Sequence, residues 1–143
     1  MGQLKSYTIF DSLFEYKGIF AGFAILDSLF PLFFKNMIDP IGFATVGSML
    51  VTMTYFLVRD YKNAKIVLEY IKSHEPELNK KYIYHNGYGH LRVYFRDFTI
   101  PEIEKMMNSP VSASFVECYR LPVKVASAAI FFISLSLILK WIY

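Results

Sequence analysis

The chain has one cysteine, Cys118, and one tryptophan, Trp141, in 143 residues. A single thiol excludes an internal disulfide framework, and its place in the chain suggests no redox role. Seven glycines and six prolines exclude a collagen-like or Gly/Ser-rich fibre. Charge is scarce as well. Asp, Glu, Lys and Arg make up 19% of the chain, below the roughly 25% of an average soluble domain, while 55% is hydrophobic. That balance excludes a disordered chain. No nucleophile elbow, P-loop, Rossmann glycine pattern or paired-carboxylate motif occurs, so the sequence carries no enzyme signature and implies no cofactor.

What is abundant is apolar residues in long runs, with 14 Phe and 11 Tyr among them. Residues 41–58 contain no charge. Eighteen residues rise about 27 Å as a helix, close to a bilayer core of about 30 Å. A second run, 121–143, carries only Lys124 and Lys140. Lysines near the ends of a span can snorkel to the headgroups, and Trp141 and Tyr143 suit an aromatic belt. A third run, 18–34, holds Asp27 near its middle and Pro31 beyond it. A central Asp costs about 3 kcal/mol against a few tenths gained from each surrounding Leu, Ile or Phe. The segment reads as a span that hides Asp27 against another helix, with an interfacial or re-entrant segment as the alternative. Residues 7–17 place Ile9, Phe10, Leu13 and Phe14 at helical spacing, the pattern of an amphipathic helix on the membrane surface.

The fold class expected is therefore an all-α membrane protein. It has three transmembrane helices, at 18–34, 41–58 and 121–143, and a small, mainly helical module at 59–124. That module holds eleven of the fifteen Lys and Arg residues, whereas the 35–40 linker holds only Lys35. The positive-inside rule puts 59–124 and the N-terminus in the cytoplasm and the C-terminus outside. The same bias explains the net charge of +3 without a nucleic-acid partner. The partners implied are the lipid bilayer and other membrane subunits or a second copy of the chain.

Within the module, Val67, Leu68 and Ile71 continue an apolar stripe from the second span to about Ser73, a stripe that needs something to cover it and would serve as a contact surface for a partner. Tyr82-Ile83-Tyr84 and Leu91–Phe95 around Asn86-Gly87 suggest a hairpin, with a loop or helical turn as the slightly preferred alternative. Thr99 and Glu102 form a capping-box pattern for a helix ending near Asn108. Ser109-Pro110 reads as the cap and first residue of the helix that enters the last span, which Pro122 would kink.

Asp27 is the sharpest single residue. An ionisable group at membrane depth handles ions, pairs with another subunit, or fixes helix packing. Gly42, Ala44, Gly47 and Ser48 put small residues along the second span, where they would let helices approach closely. Tyr84, His85, His90, Arg92 and Arg96 interleave aromatic and basic groups that would lie on anionic headgroups or a protein partner, rather than on RNA. His85 and His90, five residues apart, do not match a metal-ligand spacing.

The motif Arg59-Asp60-Tyr61, followed by Leu68, Lys72, Glu75-Pro76 and Leu78 directly after a span, resembles the universal stress protein B family of small bacterial inner-membrane proteins. Phe115–Arg120 and Leu139–Tyr143 fall where that family has similar residues. The resemblance covers about residues 45–143 and does not extend to the segment with Asp27. It implies a non-enzymatic inner-membrane protein linked to stress, and it carries over no catalytic residue. The function expected is an accessory or regulatory protein acting through helix packing and its basic module. The alternatives are a self-assembling effector gated by a ligand on that module, or an ion-path subunit using Asp27.

Overall fold

The structure, a computed structural model, describes Leu4 and residues 6–83 and 95–143. Among these residues the chain is helical, with no strand. Helix α1, Ile9–Glu15, starts at a capping box: the Thr8 backbone N–H donates to Asp11 Oδ2 (2.7 Å), and the Asp11 N–H donates to Thr8 Oγ1 (3.3 Å). At Tyr16 the chain turns by 80° into α2, Lys17–Phe33, which includes Pro31.

Helix α3 runs Pro40–His74. Proline suits its first position because the missing N–H would have no partner there. Asp39 caps it by accepting the Gly42 N–H at 2.9 Å, and its other oxygen pairs with Lys140 at 2.7 Å. The Lys140 hydrogen bond, with that from Gly42, holds the Asp39 carboxyl below the usual range. A Cβ at Gly42 would collide with the Asp39 side chain. Glycine at this position therefore makes room for a cap and does not serve helix–helix packing, which corrects the expectation for that residue. Gly47 also touches no other helix closely; a Cβ there would meet open space.

After α3, Pro76–Leu78 forms one helical turn that widens into a π-helical turn over Asn79–Ile83. Phe95–Asp97 is a 3-10 turn. Tyr82 and Phe95 therefore stand in helical turns and not in the strands of the hairpin reading, while the rest of that expected hairpin lies outside the described residues. Helix α4, Ile100–Met107, has the capping box of Thr99 and Glu102. Helix α5, Ser112–Ile142, contains Pro122. It begins two residues beyond the expected first residue, Pro110. The Ser109 hydroxyl is bonded back to Met106 O (2.6 Å), and Ser109 O accepts the Ser112 N–H (3.2 Å), so these residues close a turn.

α3 and α5 are long and apolar enough to cross a membrane, and the bent pair α1–α2 is a third such element if it forms one span. The residues gather into two compact units, to both of which α3 and α5 contribute. In the unit of Leu57–Leu121, joined by Leu4, the core contains Val67, Leu68, Ile71, Phe95, Phe98, Ile103, Met106 and Phe115. Phe115 meets Phe95 edge-on at 5.6 Å, and Phe98 lies 5.8 Å from Phe115. The stripe of Val67, Leu68 and Ile71 is at most 2% exposed. The chain covers it with its own α4 and α5, which corrects the expectation that it is left for a partner. Burial of so many apolar side chains is the dominant favourable term for this unit.

The second unit comprises Tyr7–Phe56 and Pro122–Tyr143. Phe20 packs on Phe131 at 4.8 Å, and Tyr16 meets Phe56 edge-on at the same spacing. Many large apolar side chains on its helices point away from the chain, among them Phe10, Ile25, Phe33, Phe43, Val51 and Ile133. Contiguous exposure of this kind suits lipid and not water.

Candidate functional site

In the bilayer-length unit, Asp27 of α2 is 3% exposed and faces Ser48 of α3. The Ser48 hydroxyl donates to Asp27 Oδ1 at 2.7 Å. Asp27 Oδ2 is buried and has no hydrogen-bond partner. The other buried hydroxyls of α3 are turned to their own helix: Thr45 donates to Ile41 O and Thr52 to Ser48 O, each at 2.8 Å. This back-bonding is the usual way a helix satisfies hydroxyls in an apolar setting. Ser48 is the exception because Asp27 of the neighbouring helix offers it a carboxyl oxygen. The sequence expectation that Asp27 hides against another helix agrees with this placement. Ser48, expected only as a small packing residue, is its hydrogen-bond donor.

Around the carboxyl lies a groove of about 450 Å³ between α2 and α3. Helical spacing produces it: Phe23, Asp27 and Phe30 recur at intervals of four and three on one face of α2, and Phe43, Ala44, Gly47 and Ser48 form the facing side of α3. Gly47 keeps this side open. Apart from Asp27 and Ser48, the lining is apolar.

A second buried polar pair fixes α1 against α5. Ser12 and Ser127, both fully buried, lie 2.7 Å apart, and Ser127 donates to Lys124 O at 2.8 Å. A hydroxyl has one proton, so Ser12 is the donor between them. Lys124 is fully buried, with Nζ 5.6 Å from the Tyr16 ring. It therefore does not snorkel as expected; the bend at Tyr16 brings an aromatic face to its ammonium. Burial of Lys124, Ser12 and Ser127 was not visible in the sequence, because nothing in the spacing pairs positions 12 and 127.

In the unit of Leu57–Leu121, Arg96 is exposed. Its Nε–H donates to Tyr119 O at 3.4 Å, and its guanidinium lies 5.5 Å from the Tyr119 ring. Tyr84, His85, His90 and Arg92 lie outside the described residues. Glu102 is the best-connected carboxylate. It accepts from Lys81 (2.8 Å), the Tyr82 hydroxyl (2.7 Å) and the Thr99 N–H (2.8 Å). Burial opposes its charge, but these hydrogen bonds prevail and lower its pKa to about 2. Burial, together with the Glu102 bond, raises the Tyr82 phenol, and Glu102 raises the Lys81 ammonium. The same kind of bond from Glu75 raises Lys105. Asp60 is buried and its carbonyl accepts from Cys118 at 3.7 Å. Among the described residues no group of three or more metal-ligating side chains comes together.

These features define an all-helical chain with two or three helices apolar enough to cross a membrane and a carboxyl buried between two of them. No family model matches the chain, and no curated protein or solved structure does.

Proposed function

We propose that the chain is a small multi-pass inner-membrane protein acting as a non-catalytic accessory or regulatory subunit. The observation that carries this reading is the contrast between the two units. The bilayer-length helices turn apolar side chains outward, whereas the unit of Leu57–Leu121 buries its own stripe and leaves its cations exposed. Lys62, Lys65, Lys72, Lys80 and Lys105 all lie on that surface. A partner would meet this basic surface, or anionic headgroups would, at about 1 kcal/mol per nearby cation. The bias of basic residues supports placing the unit in the cytoplasm.

The bent pair α1–α2, taken as one span, would make three crossings with α3 and α5. Leu4 is buried in the core of the Leu57–Leu121 unit, while Asp39, just beyond α2, pairs with Lys140 near the last residue of α5. The resemblance over about 45–143 supports a role linked to stress.

Native mass measurement of the protein extracted from its own membrane in mild detergent, without overexpression, tests the reading. A mass dominated by other polypeptides is expected. A monomer or a homo-oligomer would contradict the accessory role and favour an autonomous effector.

A further inference from the structure

The groove between α2 and α3 presents a chemistry that packing alone does not require. Its lining carries four phenylalanines, Phe23, Phe30, Phe33 and Phe43, and one carboxyl, with no cation. The carboxyl is 97% buried as a residue; one oxygen is committed to Ser48, and the other has no donor. An ionisable side chain between spans usually meets a partner, and the Lys140 ammonium is engaged with Asp39 on another part of the fold. Leu26, Phe33 and Phe43 are exposed at the groove's edge, so it opens sideways toward lipid. Phe30 and Phe43, from opposite walls, lie 6.1 Å apart.

We infer that this groove binds a lipophilic ammonium cation, with an N–H donating to Asp27 Oδ2 and the apolar body lying against the phenylalanines. Three features point to that class of ligand. The volume of about 450 Å³ falls among small-molecule sites. The buried Oδ2 has no hydrogen-bond partner, and an ammonium cation would supply it with a donor and, on pairing, stabilise the ionised carboxylate. The aromatic faces attract a cation within about 6 Å of the ring centre, and more strongly where water is excluded. A neutral lipid would fill the same volume and leave the acid uncompensated. A helix of a second copy would need a basic residue at mid-depth, whereas Lys17, Lys124 and Lys140 stand toward the ends of the apolar stretches. The inference goes beyond the accessory role and does not depend on any other subunit.

The test uses the full chain in detergent and two fluorescent probes with the same apolar body, 4-(1-pyrenyl)butylammonium and 4-(1-pyrenyl)butanol. Saturable binding of the ammonium is expected, about tenfold or more tighter than the alcohol. Asp27→Asn keeps the size and the Ser48 acceptor, and it should abolish the preference between the probes. Gly47→Leu fills open space in the groove and should remove binding of both. Lys140→Gln, outside the groove, should leave binding unchanged. Equal binding of the two probes by the natural chain would overturn the inference, whatever the variants do. So would an Asp27→Asn chain that retains the preference, or a groove closed to both probes by a second copy cross-linked through Phe33 and Phe43 positions.

Discussion

Glu102 shows how one residue can join several parts of the Leu57–Leu121 unit. It closes the cap of α4 through Thr99 and ties in the turn that carries Lys81 and Tyr82. Its carboxyl titrates near 2 in the folded chain against an ordinary 4.5, so the folded state binds its proton more weakly than the unfolded state. The stability it contributes is present in full above about 4.5 and is lost as pH falls toward 2. Denaturation of the purified chain should therefore become easier across that window, and Glu102→Gln should flatten this dependence. Gln still accepts from the Thr99 N–H through its one oxygen, so the variant keeps the cap and loses the charge and the bond from Lys81. An unchanged pH profile in Glu102→Gln would contradict the assignment. Ile71 gives a second test at this scale. It is fully buried, and Ile71→Ser removes apolar volume and buries a hydroxyl. A loss of about 2–5 kcal/mol in stability is expected from denaturant unfolding in detergent. A neutral effect on stability with loss of a partner would instead return the stripe to the role of a contact surface.

At the scale of elements, legibility followed the range of the interactions. The 41–58 run, the capping box at Thr99 and Glu102, and the helical continuation past Val58 depend on residues within a turn of one another, and each was readable from the sequence. The donor of Asp27 is 21 residues away on the next helix, and the Ser12–Ser127 pair spans most of the chain. No local pattern encodes such contacts. Val67, Leu68 and Ile71 were readable as an apolar face, but what covers it depended on how α4 and α5 return. Gly42 was misread for a related reason. Small residues along a span suggest close helices, yet this one makes room for a side chain three residues earlier. Gly42→Ala and Asp39→Ala should each lower the thermal midpoint, because each disturbs the same cap, and the double variant should lose little more than Asp39→Ala, which also removes the Lys140 pair. Additive losses in thermal unfolding would show that Gly42 serves a separate contact.

At the scale of the whole molecule, the proposed topology turns on which helices cross the membrane. Leu4 is buried in the Leu57–Leu121 unit, and Asp39 pairs with Lys140. If the bent pair α1–α2 is one span, the basic bias of 59–124 puts the N-terminal end on the side of that segment and the 35–39 turn on the side of the C-terminus. Cysteine labelling in intact cells tests this arrangement most directly. Cys118 is replaced by Ala, and single cysteines are placed at the exposed positions Ser6, Asn36, Glu77 and Tyr143 for reaction with a membrane-impermeant maleimide. The account predicts that positions 36 and 143 react in intact cells, and that positions 6 and 77 react only after permeabilisation. Reaction at 77 in intact cells would invert the orientation, and reaction at 6 together with 36 would show that α2 does not cross.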